Sequence, residues 1–246
     1  AAESAGTEEK ADKVWAQDDM KTIRQVEGEF LVQYKKDIAD KSDTVEKELS
    51  EYDTVVVDAV LPDVQLIKAD TEGMSQKEEQ DFMKEVESLE EVEYVEPNIV
   101  VKAAETSTEK AAAAKSTLSY PQWGLDNIKA QKGWDQMGNV SGQVTVAVVD
   151  TGVDAAHPDL KGRVKKGKTF AKQNSKGVKY NPSQTTDDEG HGTQVAGVIA
   201  ANTDDGLGID GVSGKYNVNI LPVKALDDIG DGYLSDVIKG IEYAAD

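Results

Sequence analysis

VTVAVVDTGV, residues Val144 to Val153, is an apolar, β-branched run that ends on a carboxylate and then a glycine. Such a run is how a buried strand delivers one side chain, here Asp150, to its C-terminal edge before a sharp turn at Gly152. Forty-one residues on, GHGTQVAGVIA (Gly190 to Ala200) sets His191 at the mouth of a helix. Val195, Val198 and Ile199 fall at helical spacing, while Gly192, Ala196, Gly197, Ala200 and Ala201 are small enough to lie on a sheet. The helix is therefore expected to be buried nearly all round. Imidazole titrates near neutrality, so His191 can take a proton from a hydroxyl and return it to a leaving amine. A buried carboxylate at Asp150 would fix the ring's tautomer and orientation.

D-T-G-V-D followed by H-P-D-L, then H-G-T-x-V-A-G, resembles the aspartate and histidine boxes of the subtilisin-like serine proteases (peptidase family S8), in that family's chain order. D-T-G alone would also suit a pepsin-like aspartic protease. That chemistry needs a second carboxylate to share a proton, and no second D-T-G or D-S-G occurs, leaving only homodimerisation to supply one. The resemblance implies a catalytic role for Asp150 and His191. It also implies a serine box of the G-T-S-M-A type and an oxyanion-hole asparagine, and neither is found in these 246 residues. The expectation is the front half of a protease domain, inert without its remainder. His157, in A-H-P-D-L, reads as a loop-packing residue.

Upstream, residues 28–102 alternate as strand Phe30–Tyr34, helix near Thr44–Ser50, strand Thr54–Val60, strand Val64–Ala69, helix Ser75–Leu89 and strand Val92–Val95. This is the β-α-β-β-α-β order of a ferredoxin-like unit. Ser75 with Glu78 forms a capping-box pattern, and Phe82, Val86 and Leu89 supply that helix's buried face. The ending V-E-Y-V-E-P-N resembles the inhibitor I9-type propeptides that precede subtilases. Such a domain implies an intramolecular inhibitor and folding template. The expected plan is a disordered acidic leader over 1–27, the propeptide over 28–102, a linker over 103–119, and the first part of the catalytic domain over 120–246. The fold class is α/β: a ferredoxin-like α+β domain, then the N-terminal half of a doubly wound, mostly parallel sheet.

Two further segments carry expectations from the same resemblance. In D-D-I-G-D-G-Y-L, after the core-strand run ending N-I-L-P-V-K-A-L, the backbone of Gly230, Asp231 and Gly232 would pair with a protein or peptide substrate as an added strand. Tyr233 or Leu234 would wall a side-chain pocket. The loop Asn202–Gly211 matches the family's calcium loop with one extra residue. Calcium takes oxygen ligands, here side chains of Asp159 and Asp205 and carbonyls of Thr203, Leu207 and Ile209. The family's N-terminal glutamine ligand would fall near Ser119, with Gln122 three residues late. The last segment offers Leu234, Val237, Ile238, Ile241 and Ala245 as one apolar stripe on a helix.

The chain has no cysteine and a formal net charge of −20. Residues 1–118 carry 14 basic against 30 acidic side chains, so the acidity belongs to the pro-segment. That balance opposes nucleic-acid binding, which needs Lys and Arg clusters. No stretch approaches the roughly 18 apolar residues of a membrane span. The start at Ala1 fits a removed signal peptide, and a secreted or cell-wall-associated enzyme is expected. The missing C-terminal half of the catalytic domain is the expected partner of the half-sheet, whose edge and apolar face would otherwise lie open. The alternative is a non-catalytic propeptide-type inhibitor or chaperone.

Overall fold

A computed structural model describes residues 23–35, 42–104, 122–203, 205–206 and 208–246. The acidic leader up to residue 22, most of the expected linker including Ser119, and Leu207 lie outside them. The first unit runs β1 (Gln25–Tyr34), α1 (Ser42–Glu48), β2 (Val55–Leu61), β3 (Val64–Lys68), α2 (Gln76–Glu87) and β4 (Val92–Lys102). Its strands are antiparallel in the order β2-β3-β1-β4, which is the ferredoxin-like arrangement. α2 starts where the capping box places it. Ser75 Oγ accepts from the Glu78 N–H, and Glu78 accepts from the Ser75 N–H at 2.7 Å. Phe82 and Val86 go into a core with Phe30, Val32, Tyr34, Ile67 and Val95, and Leu89 packs at its margin. Ser75→Ala should cost about 1 kcal/mol of stability, read as a lower denaturation midpoint with an unchanged slope.

The first and last strands of this unit run longer than expected. β1 begins at Gln25, inside the span assigned to the leader, because residues 25–29 pair irregularly around Gly28 (φ +70°). β4 continues seven residues beyond Val95, since a partner for its second half arrives from far along the chain.

The second unit contains α3 (Trp123–Asn127), α4 (Ala130–Met137), β5 (Val144–Asp150), β6 (Lys168–Thr169), α5 (His191–Ala200), β7 (Val218–Lys224), β8 (Asp231–Tyr233) and α6 (Leu234–Ala245). β5, β7 and β6 form a parallel sheet in that order, with Asp150 opposite Lys224 at the C-terminal ends. Ala196 and Ala200 of α5 pack on Val148 and Ile220. Gly240 of α6 meets Val149 and Val223. Neighbouring strand residues point to opposite faces, so the two helices cover opposite sides and the sheet is doubly wound.

Two helix readings are corrected. α5 is not buried all round: Val198 is 57% exposed and Gln194 is exposed, because only the face bearing Gly192, Ala196 and Ala200 meets the sheet. The apolar stripe of α6 does not act as a unit. Leu234 and Ile238 pack against Leu31, Val60, Val64 and Leu66 of the first unit, whereas Ile241 is 56% exposed. α6 lies between two sheets, so its buried positions divide between them.

The two units are joined through α6 and β8. β8 pairs antiparallel with the end of β4, placing Val100 opposite Tyr233, Val101 opposite Gly232 and Lys102 opposite Asp231. Buried Asn98 caps the first turn of α6, accepting from the Ser235 N–H at 3.2 Å and donating to Glu29 at 2.8 Å. Lys239 pairs with Asp58 of β2. Among the described residues no helix is long and apolar enough to cross a membrane.

Candidate active site

β5 ends at Asp150, and Thr151-Gly152 turns the chain away. Gly152 has φ +112°, and a Cβ there would come within 2.7 Å of the Thr185 carbonyl oxygen. A Cβ on Gly192 would meet the Gly152 oxygen at 2.1 Å, so glycine is what lets α5 start against this turn. The result sets the His191 ring beside Asp150. Nδ1 lies 2.8 Å from Oδ2 and 2.9 Å from Oδ1. The Thr151 N–H donates to Asp150 Oδ1 at 2.6 Å, which fixes the carboxylate plane. Among the described residues nothing bonds His191 Nε2, and 19% of the imidazole stays exposed against 11% of the Asp150 side chain. A ring held through Nδ1 with Nε2 open is arranged to exchange a proton with an incoming hydroxyl.

Around the pair lies a support that sequence reading missed. The Asp187 carboxylate accepts from the hydroxyl groups of Thr151 and Thr193 and from the N–H groups of Gly190 and Thr193. Burial pushes this carboxyl up, but those hydrogen bonds outweigh it and hold it below the usual range. The Thr151 hydroxyl in turn accepts from the Gly192 N–H at 2.9 Å, tying the end of β5 to the start of α5. Lys224, fully buried, donates to the Thr151 carbonyl and to Asp188 at 2.6 Å, with its ammonium over the Tyr180 ring. The one local signal for this support was the acidic D-D-E run before Gly190.

The remaining expected residues fall in three places. Gly230, Asp231 and Gly232 line the edge that β4 occupies, and the Gly230 carbonyl accepts from the Ala103 N–H at 2.8 Å. Tyr233 faces a cavity beside this edge, whereas Leu234 points into the first unit's core. His157 accepts from the Asp159 N–H at 3.3 Å and so caps its own turn.

Asp159 is 4% exposed; its Oδ2 accepts from the Ile209 N–H at 2.9 Å and its Oδ1 is buried with no hydrogen-bond partner. Burial pushes its carboxyl up, and Asp205 and Asp210 add to this. Thr203 Oγ1 is likewise buried and unpartnered. Gln122 reaches the loop, bonding both backbone groups of Asp210. Among the described residues no group of three or more His, Cys, Asp or Glu side chains is placed to hold a metal ion.

The parallel sheet, the Asp–His pair at its C-terminal edge and the strand-capped prodomain define a class, and the comparisons agree. Residues 141–246 match the subtilase family and residues 12–98 match the fervidolysin N-terminal prodomain, so this chain belongs to the subtilases and carries its prodomain ahead of the subtilase segment. It is similar to the thermophilic serine proteinase of Bacillus sp. (strain AK1), at 36% identity over 221 residues, 90% of this chain and 49% of that protein. The cell wall-associated protease of Bacillus subtilis (strain 168) is 45% identical over 103 residues, 41% of this chain and 10% of that protein. The crystal structure of fervidolysin from Fervidobacterium pennivorans, described as a keratinolytic enzyme related to subtilisin, superposes with a TM-score of 0.57 at 32% identity. That match covers 89% of this chain and 34% of fervidolysin. The chain thus spans about half the length, or less, of these relatives.

Proposed function

We propose that this chain is the prodomain and the Asp/His-bearing part of a secreted or cell-wall-associated serine endopeptidase, held inactive by its own prodomain. The observation that carries the reading is the Asp150–His191 pair, 2.8 Å apart with Nε2 open, in a chain whose β8 edge is already occupied by β4. Asp150 orients the ring and stabilises the imidazolium; His191 acts as base, then acid. The serine nucleophile and oxyanion asparagine come from sequence outside these 246 residues, and this chain alone hydrolyses nothing. A protein substrate adds to β8 as an antiparallel strand along Gly230–Gly232, where Val100–Ala103 now lie. The prodomain therefore inhibits by occupying the place of substrate. Fluorophosphonate labelling of the protein expressed from its full reading frame tests this: a labelled serine is expected, and a folded, unlabelled protein would overturn it.

Calcium is part of the proposal. The orphaned Asp159 Oδ1 is the kind of buried oxygen a hard cation satisfies. Asp159 and Asp205 would hold the ion with carbonyls of Thr203, Leu207 and Ile209, and it would act as a structural crosslink. At about 100 times its dissociation constant, calcium should add roughly 2.7 kcal/mol of stability. A melting temperature that rises with calcium, falls with chelator and loses that response in Asp159→Asn is the expected result.

A further inference from the structure

Beside the substrate edge lies a cavity of about 240 Å³, bounded by β8, by the segment Ala171–Ser175 and by the prodomain. It is acidic and partly unsatisfied. Asp227, Asp231 and Asp236 line it, against Lys172. Asp231 Oδ1 is buried with no hydrogen-bond partner. Asp236 is 2% exposed, with Lys172 and Lys239 as the cations acting on its carboxyl.

Besides Lys172, a second cation reaches this cavity, and it comes from the prodomain. Arg24 Nη2 donates to Asp231 Oδ2 at 2.5 Å. Arg24 is the cross-strand neighbour of Val100, whose N–H donates to the Arg24 carbonyl at 2.7 Å. Val100 itself lies opposite Tyr233 and lines the cavity with a short side chain. The prodomain thus fills the site from two segments, a small Cβ-branched group from β4 and a guanidinium from the residue just before β1. A peptide substrate brings only one strand. Once the prodomain leaves, Asp231 loses its paired cation unless the substrate carries its own, while Asp236 keeps only the influence of Lys172 and Lys239.

We propose that Asp231, with Asp236, forms a specificity subsite that selects an arginine or lysine side chain at the substrate position occupied by Val100 in the precursor. The proposal rests on the reading of β8 as the substrate edge. A guanidinium from that position replaces Arg24 at Asp231, and its second nitrogen edge faces the buried carboxyl of Asp236. Arginine should exceed lysine, because its planar fork meets two carboxylates where an ammonium meets one.

The test uses the processed protease, freed of its prodomain, and product-like peptides of the sequence Ile99–Ala104 with Val, Arg, Lys, Gln or Glu at the place of Val100. The competitive inhibition constant is read for each. The arginine peptide is expected to bind about tenfold more tightly than the glutamine peptide, the glutamate peptide should be weakest, and Asp231→Asn should remove the arginine-to-glutamine ratio. If the valine peptide inhibits but arginine and glutamate bind alike, the subsite is overturned while the strand-addition reading stands. Should none of the peptides inhibit an enzyme that still cleaves protein, the strand-addition reading falls and takes the subsite with it. An unchanged arginine-to-glutamine ratio in Asp231→Asn would assign the preference to other residues and overturn the role of Asp231.

Discussion

His191→Ala is expected to lower turnover of the active protease by about 10⁶-fold, with KM nearly unchanged, as removal of the histidine does in subtilisin. Nδ1 of the ring is committed to Asp150 at 2.8 Å, which leaves Nε2 to exchange a proton with the nucleophile. Asp150→Asn should cost less, about 10⁴-fold. It preserves the shape of the site but presents an amide to Nδ1, favouring the wrong tautomer. Because the Thr151 N–H also anchors Oδ1 at 2.6 Å, an asparagine would be held in place and the loss would be one of protonation, not of folding. Single-turnover acylation rates for both variants, with melting temperatures to show intact folding, make the check. A His191→Ala protease retaining a hundredth of wild-type turnover would remove the histidine from the chemistry.

The Asp–His pair was legible because both residues sit in segments whose local pattern dictates their geometry. Asp150 ends an apolar strand before a glycine that must take φ +112°, and His191 opens a helix of small residues. The ferredoxin-like order was legible for the same reason, since alternation and the Ser75–Glu78 box are short-range signals. Features that depend on distant partners were not. The strand reading stopped at Val95, two residues short of Pro97, which offers no N–H to a ladder. In the fold Pro97 lies opposite Phe30, and strand pairing resumes beyond it because β8, some 130 residues later, supplies the other edge. The partners that satisfy buried Lys224, Asp188 and the Thr151 carbonyl, lie 36 and 73 residues away in the chain. Arg24 and Asp231 are 207 residues apart, and no local pattern connects them.

The prodomain should grip the catalytic segment more tightly at pH 5 than at pH 8, and Asp236 should be the main reason. Burial pushes this carboxyl up from the usual 3.8 to about 6, Lys172 and Lys239 pull it down, and Asp58 and Glu29 of the prodomain push it up again. In the cavity it also faces Asp227, Asp231 and Arg24. A carboxyl whose pKa is raised by docking binds a proton more readily in the docked state than in the free one. Docking is therefore strongest below about pH 4, weakens as pH rises from about 4 to 6, and levels off above that. If the whole shift arises from docking, the loss amounts to about 3 kcal/mol, or roughly 100-fold in affinity. Asp236→Asn imitates the protonated form at every pH, so it should hold the prodomain at pH 8 at least as firmly as the wild type does at pH 5. The measurement is the rate of prodomain dissociation from the processed complex at pH 5 and pH 8. A fall in the pH 8 to pH 5 ratio is expected in the variant. The same ratio in both proteins would place the sensitivity elsewhere among the acidic groups of the prodomain.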